Sequence, residues 1–421
     1  AELDRPAATT AERLQRLGLI EPARGGPAPL SRRLGHGTHV ADLAAGFDPA
    51  SAPRDARVVA VTLPALVTRD TSGGSLTPFL VAALDHILDR AALISRTEGA
   101  PLPVYVNFSY ALSGGAQNGL HPIETAIDAL IAAHEARMAE IFDTAQLPCP
   151  LVEVVLPSGN AHLDRLNAAT DPAPENGPAS LAFDWRINPG DVTQNLLELW
   201  VPRDASRVCL RVGAPGGPPR PLDALAPGQA MLLHPAGAPG RVIGRAAMTV
   251  QGGEDGDGYG SRLTRILIAL APTALPTGIV APTAPPGRWR IELSAEIPSG
   301  TRLRARVQRD EAPPGHVRPG RASWLEHRDY RLYDATGQLA LDDQPGCPVR
   351  RAGTLSGIAT GCRARVVGGW QGPGELPDGL RAARYAARAA SWTGTVDASA
   401  RCDRSRARPG VLAAGIASGS V

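Results

Sequence analysis

The chain has 421 residues, of which 43% are hydrophobic, and its 43 basic and 41 acidic side chains leave a net charge of +2. This length allows two or three domains with real cores, and the interspersed charges offer no basic face for nucleic acid or an anionic membrane surface. No apolar run is long enough to span a membrane. Five scattered cysteines without a C-x-x-C pair indicate neither a disulfide framework nor a zinc site, and at most Cys347 and Cys362 could pair.

Residues 1–166 alternate predicted helices with predicted strands. Apolar residues at helical spacing predict helices over residues 11–19, 76–94 and 121–141, and β-branched runs predict strands over residues 56–63, 104–110 and 151–156. A further helix is predicted after His36, with Val40, Leu43, Ala44 and Phe47 on its apolar face, and we expect it to be buried. Strands separated by single helices imply a parallel sheet, in which functional loops lie at the carboxyl ends of the strands.

The pattern changes between residues 167 and 345, where helical spacing nearly vanishes. Extended runs alternate with Pro/Gly turns over residues 196–201, 206–212, 230–234, 241–250, 263–271, 287–294 and 301–308. Their spacing predicts an antiparallel β-sandwich inserted into the α/β domain. Residues 346–421 return to the earlier pattern, so we predict that the α/β core comprises residues 1–166 and 346–421.

A histidine flanked by glycines is the first candidate for chemistry. In Gly35-His36-Gly37-Thr38-His39-Val40 the glycines let another backbone approach the ring of His36. The segment resembles the histidine motif of the subtilisin-like serine peptidases (subtilases), in which the first His is the general base, although the family usually has Gly where this chain has Asp42. Two other interpretations stay open: His36 could be a structural turn residue, or His36, His39 and Asp42 could bind a metal.

Two further stretches resemble subtilases in the family's order. Val106–Tyr110 looks like the strand that pairs with the substrate backbone, which implies that Ser109, Tyr110 and Ala111 bind substrate by β-augmentation. The stretch that ends in Gly159-Asn160 resembles the segment whose Asn amide donates to the oxyanion, which implies this role for Asn160. Gly-Asn is also a common turn dipeptide, and the Leu-Pro-Ser before it departs from the family's small residues.

The later part of the chain resembles the segments that precede the family's serine motif. Residues 365–369, 390–394 and 409–415 look like its valine-rich strand, its serine-rich segment and its Pro-Gly turn. The nucleophile motif Gly-Thr-Ser-Met-Ala would follow, and the Asp motif would precede His36 by about 30 residues. Neither is found here. Ser356 stands one place late for such a motif, so we do not assign it as the nucleophile, and we expect the Asp and the Ser outside this sequence.

The resemblance implies a fold and an activity together. The fold is a subtilisin-like α/β structure, a three-layer mostly parallel sheet with an inserted antiparallel β-sandwich. The activity is serine endopeptidase hydrolysis of a peptide or protein substrate by acyl transfer, with His36 and Asn160 in catalytic roles and no cofactor. We expect the chain to be a fragment that is inactive alone, and the family's habit favours secretion. The acidic run at Glu254–Gly258 has calcium-loop character but fits an exposed hairpin better.

A second interpretation belongs to another functional class. The fold could be a catalytically inactive subtilase-like scaffold, in which the β-sandwich binds a partner protein or a glycan. Motifs for the Asp and the Ser in the flanking sequence would favour the peptidase, whereas their absence from the natural protein would favour the scaffold.

Overall fold

The computed structural model describes residues 36–46, 57–64, 67, 73–222, 225–235, 238, 240–251, 263–308, 320–371 and 381–387. Its helices are α1 (His36–Ala45), α2 (Leu76–Glu98) and α3 (Pro122–Ile141), with a 3-10 turn at Thr144–Gln146. Its strands are β1 (Val104–Asn107), β2 (Val152–Pro157), β3 (Asn167–Ala169), β4 (Gly177–Ile187), β5 (Asn195–Pro202), β6 (Ser206–Gly213), β7 (Arg220–Pro221), β8 (Ala230–Leu233), β9 (Gly244–Gln251), β10 (Leu263–Leu270), β11 (Gly287–Ile297), β12 (Arg304–Val307), β13 (Trp324–Glu326), β14 (Val349–Arg350), β15 (Ala364–Val367), β16 (Trp370–Gln371) and β17 (Arg381–Ala382). No helix within these ranges is both long and apolar enough to cross a membrane.

A three-stranded parallel sheet forms the α/β part, in the order β1-β2-β15. Helices α2 and α3 pack against each other and share one hydrophobic core with the sheet. Helix α2 buries a stripe at i+4 spacing, made of Leu76, Leu80, Leu84, Leu88 and Ala92. Because this spacing puts the apolar side chains on one face, it confirms the predicted helix and its buried side.

Two local predictions in the first part of the chain are wrong. Residues 57–64 form no strand, and Val58 and Val61 are 67% and 40% exposed. A β-branched run has to pair its backbone to become a strand, and no described strand pairs with this one. Helix α1 does form, but it is not buried: Leu43 is 56% exposed, so its apolar face is not packed into a core.

The middle of the chain is an antiparallel β-sandwich, as predicted. One sheet has seven strands in the order β14-β3-β12-β5-β10-β9-β8, and the other has five in the order β13-β4-β11-β6-β7. From Leu181 in β4 and from Trp289 in β11 every second side chain is buried, so both strands turn one face toward the core between the sheets. Together with the parallel sheet, this confirms an α/β fold with an antiparallel sandwich.

The sandwich begins and ends at neighbouring strands. The short strand β14 pairs with β3, so the seven-stranded sheet extends past residue 345, where we predicted the insert to end. The chain then rejoins the parallel sheet at β15. The division into domains stays a prediction. Cys347 and Cys362, which lie in this stretch, are both free thiols.

Candidate functional site

The proposed substrate residues follow the carboxyl end of β1. The ladder to β2 continues to Phe108, whose N–H donates to the carbonyl of Val155 at 3.1 Å, and the chain then leaves the sheet. The N–H of Tyr110 turns back to the Phe108 carbonyl at 3.0 Å. Ser109 is exposed, whereas Tyr110 and Ala111 are half-buried. These three residues thus form a short open segment at the edge of the sheet rather than part of the strand.

The candidate oxyanion residue follows β2 at the same edge. The N–H of Ser158 donates to the Val367 carbonyl of β15 at 2.7 Å, which holds the end of the strand in place. Gly159 has φ +102°, a conformation that side chains with a Cβ rarely adopt, and its carbonyl accepts from the N–H of Ala387 at 2.8 Å. Asn160 comes next and is exposed. The turn at Gly159 is therefore followed by Asn160 at the surface.

The loops after β1 and β2 are in contact. A Cβ built on Gly159 would lie 3.7 Å from the Cβ of Ala111, so the substrate segment and the turn that carries Asn160 are immediate neighbours. His36 is the first residue of α1, and its side chain lies outside the described part of the chain. Among the side chains that are described, no group of three metal-binding residues occurs. The structure thus brings together two of the three predicted elements of the site.

Ser356 is buried behind these loops. It is 1% exposed, its Oγ accepts from the N–H of Leu112 at 3.1 Å, and its own N–H donates to the Ser158 carbonyl at 2.7 Å. A hydroxyl that is enclosed and bonded to the backbone in this way serves to hold neighbouring segments. Ser356 therefore ties the loops after β1 and β2 to residues 353–361, which we call the bridging segment.

The bridging segment lies against the loop 112–121, which leads from the substrate segment to α3. The N–H of Gly357 donates to the Leu112 carbonyl at 2.8 Å, and the N–H of Gly119 donates to Thr360 Oγ1 at 3.0 Å. A Cβ on Gly357 would lie 1.7 Å from the carbonyl oxygen of Gly114, so no larger residue fits at position 357. The backbones of the two segments are therefore in direct contact.

A buried carboxylate fixes the end of this loop to α3. Glu124 forms a capping box with His121: its Oε2 accepts from the His121 N–H at 3.1 Å, and His121 Nδ1 accepts from the Ile123 N–H at 3.2 Å. Its Oε1 accepts from the N–H and the hydroxyl of Thr360, at 2.6 and 2.8 Å. Burial raises the pKa of Glu124, and these hydrogen bonds from Thr360 and His121 oppose that rise. Burial also lowers the pKa of His121.

Glu198 was not singled out by the sequence analysis, although it joins the sandwich to the loop 112–121. It lies on β5, is 2% exposed and accepts the N–H of Gly115 at 2.6 Å. The signal was a single carboxylate within the apolar run Leu196–Val201. Two arginines lie on β12, the strand that pairs with β5. Burial and the neighbouring guanidiniums lower the pKa of Arg304 to about 9. Burial lowers the pKa of Arg306 to about 10, and Glu198 opposes this effect.

Comparisons with known proteins find similarity to solved structures but to no family model. No family model matches the chain, and no curated protein matches it significantly. Among solved structures, the CspB protease of Clostridium perfringens matches with a TM-score of 0.43 and 15% identity, over 77% of this chain and 52% of that chain. The chain therefore spans about half the length of that protease. A likeness at this level leaves the function to be argued from the residues themselves.

Proposed function

We propose that the chain belongs to a serine endopeptidase of the subtilase type and contributes the general base and the oxyanion donor of its active site. The observation that carries this proposal is the contact between the segment Ser109–Ala111 and the turn at Gly159, because an extended substrate bound along the first would run past Asn160. Both loops follow parallel strands at their carboxyl ends, which is where such sheets place their sites.

The proposed chemistry is acyl transfer. A peptide pairs its backbone with residues 109–111, and the Asn160 amide donates to the oxygen that becomes negatively charged as the nucleophile attacks. His36 takes the proton from a serine hydroxyl, and an aspartate holds the imidazole in the required tautomer. No residue of this sequence is assigned to the serine or the aspartate, so we expect no casein hydrolysis by the 421-residue chain alone.

Active-site labelling of the natural protein that contains this sequence tests the proposal. We expect a fluorophosphonate probe to label a serine, and His36→Ala to abolish both labelling and casein hydrolysis because the hydroxyl then lacks its base. Asn160→Ala should lower kcat by about 10²- to 10³-fold, which is the size known for loss of the corresponding donor in subtilisin itself. Asn176→Ala, at an exposed position in the sandwich, is the matched control and should leave kcat unchanged.

Two results would contradict the peptidase assignment. One is a natural protein that neither reacts with the probe nor cleaves casein, which would favour the inactive scaffold with a ligand-binding sandwich. The other is hydrolysis that persists in the His36→Ala variant, which would remove the proposed base.

A further inference from the structure

We propose that Glu198, in the β-sandwich, is a positioning residue for the substrate segment Ser109–Ala111. The inference rests on the proposed function, since it concerns how tightly that segment binds a peptide. It also makes a claim about the structure alone, namely that one carboxylate of the sandwich holds the loop 112–121 in place.

Both oxygens of Glu198 are used as acceptors. Oε2 accepts from the N–H of Gly115 at 2.6 Å and from the indole N–H of Trp200 at 3.1 Å. Oε1 accepts from the side-chain amide of Gln308 at 2.7 Å and lies 3.4 Å from a guanidinium nitrogen of Arg265. Because the sandwich supplies three of the four donors, the carboxylate is fixed in the sheet and presents one short bond to the loop.

The loop that receives this bond contains one residue with a Cβ at positive φ, between two glycines that also have positive φ. Gly115 has φ +108°, Gln117 has φ +53° and Gly119 has φ +73°. The two glycines adopt positive φ without steric cost, whereas Gln117 carries a Cβ and its surroundings hold it in its conformation. The bond from Gly115 to Glu198 is one of the contacts that do so.

The same loop packs on the face of the seven-stranded sheet that carries Glu198. Ala116 is buried in a small cluster with Trp200 and Leu263, and the amide of Gln251 donates to the Leu120 carbonyl at 3.3 Å. Hydrogen bonds add to this apolar contact, and the bond from Gly115 to Glu198, at 2.6 Å, is shorter than the bond from Gln251.

The effect reaches the substrate segment through a short stretch of chain. Gly115 stands four residues beyond Ala111, and Leu112 between them is bonded to the bridging segment through Ser356. At its other end, the substrate segment Ser109–Ala111 follows Phe108, which is bonded to β2 in the sheet. Only three residues separate Ala111 from Gly115, so a displacement of Gly115 also displaces Ala111.

The variant Glu198→Leu tests this role at a similar side-chain size. Leucine has no acceptor, so the N–H of Gly115 and the indole N–H of Trp200 both lose their bond to residue 198. By hydrogen–deuterium exchange on the 421-residue chain, we expect amides of residues 112–119 to exchange at least tenfold faster. By fluorescence anisotropy with fluorescein-labelled unfolded casein, we expect affinity to fall about tenfold.

Two control variants separate positioning from a general loss of stability. Glu296→Leu removes a carboxylate of the same sandwich that pairs with Arg207 at the surface, and should change neither measurement. Ile291→Val weakens the sandwich core at a fully buried position and should lower the thermal midpoint without a change in casein affinity. A merely structural Glu198 would behave like Ile291, with affinity unchanged while stability falls.

The outcomes are distinct for the two proposals. Unchanged exchange over residues 112–119 in Glu198→Leu overturns the positioning role, and so does faster exchange with undiminished casein affinity. A wild-type chain that does not bind casein counts against the proposed peptidase function, and the exchange measurement then still decides whether Glu198 holds the loop.

Discussion

His134 is a buried histidine without a hydrogen-bond partner for either ring nitrogen. It lies on the buried face of α3 and is 4% exposed. Burial lowers its pKa, with a further lowering from Arg137 on the same helix; Glu135 on α3 and Asp89 on α2 oppose this effect. A charged imidazole would have to be accommodated in an apolar contact, so the folded protein favours the neutral ring.

This histidine should make the fold sensitive to mild acid. Because its pKa is lower in the folded chain than the ordinary value of about 6.5, the unfolded chain binds the proton more readily as the pH falls below that value. The contribution of the neutral His134 ring to stability is therefore fully present above about pH 6.5, and it is lost as the pH falls toward the pKa in the folded chain. Between pH 7.5 and pH 5, we expect the thermal midpoint of His134→Leu to fall by less than that of the wild type.

The comparison needs a second histidine variant because other groups titrate in the same range. Burial also lowers the pKa of His121, which acts in the same direction, whereas the raised pKa of Glu124 acts in the opposite one. The exposed His86 on α2 provides the control, since His86→Leu should keep the acid sensitivity of the wild type. Equal pH dependence in the wild type and His134→Leu would show that this side chain does not contribute.

At the scale of elements, the start of α3 depends on a tertiary contact as well as on its own sequence. Pro122 and the capping box satisfy the first turn, and Glu124 adds two bonds to Thr360 in the bridging segment. Glu124→Ala leaves the His121 and Thr360 N–H groups without acceptors. We expect the free energy of unfolding, measured by guanidinium denaturation, to fall by about 2–3 kcal/mol.

A substitution elsewhere on the helix separates this effect from helix propensity. Glu140 is exposed near the other end of α3, and Glu140→Ala should change the free energy of unfolding by no more than about 0.5 kcal/mol. If both variants lost the same small amount, the bonds from Glu124 to the bridging segment would not stabilise the fold.

The sequence predicted elements well where a periodic pattern coincided with tertiary burial. Helices α2 and α3 and strand β2 follow from such patterns, and the order of strands and helices indicated parallel pairing. Strand β4 was missed, although Leu181, Phe183, Trp185 and Ile187 alternate with more exposed residues along it. The predicted strand at residues 56–63 had suitable residues but has no described partner, because strand propensity cannot supply the neighbouring backbone.

The candidate site could be predicted only as far as local chain order determines it. Two consecutive parallel strands put their carboxyl ends at one edge, which was enough to expect the loops at residues 109–111 and 158–160 close together. The single carboxylate within the apolar run of β5 was a signal of a buried charge that the sequence analysis did not use. Its partner Gly115 lies 83 residues away, and no local pattern connects the two.

For the whole molecule, the sandwich has a hydrophobic core of its own. The core cluster that contains Phe183, Trp185 and Ile291 draws its buried members from residues 166–349 alone. We therefore expect the isolated segment 166–351 to fold, with a strand-rich circular dichroism spectrum and a cooperative thermal transition. Within that segment, Trp185→Ala should lower the free energy of unfolding by about 3–5 kcal/mol. A transition without cooperativity would mean that the sandwich depends on the α/β part.

The pairing of β3 with β14 has a consequence for the order in which the protein is made. About 200 residues separate β2 from β15, so a ribosome that adds about 5–20 residues per second delivers the last strand of the parallel sheet roughly 10–40 s after the second. The sandwich is complete before then. Because its first and last strands, β3 and β14, are paired, folding of the sandwich brings the end of the insert close to its beginning. Strand β15 can then pair with β2 at the entropic cost of closing a short loop rather than one of about 200 residues.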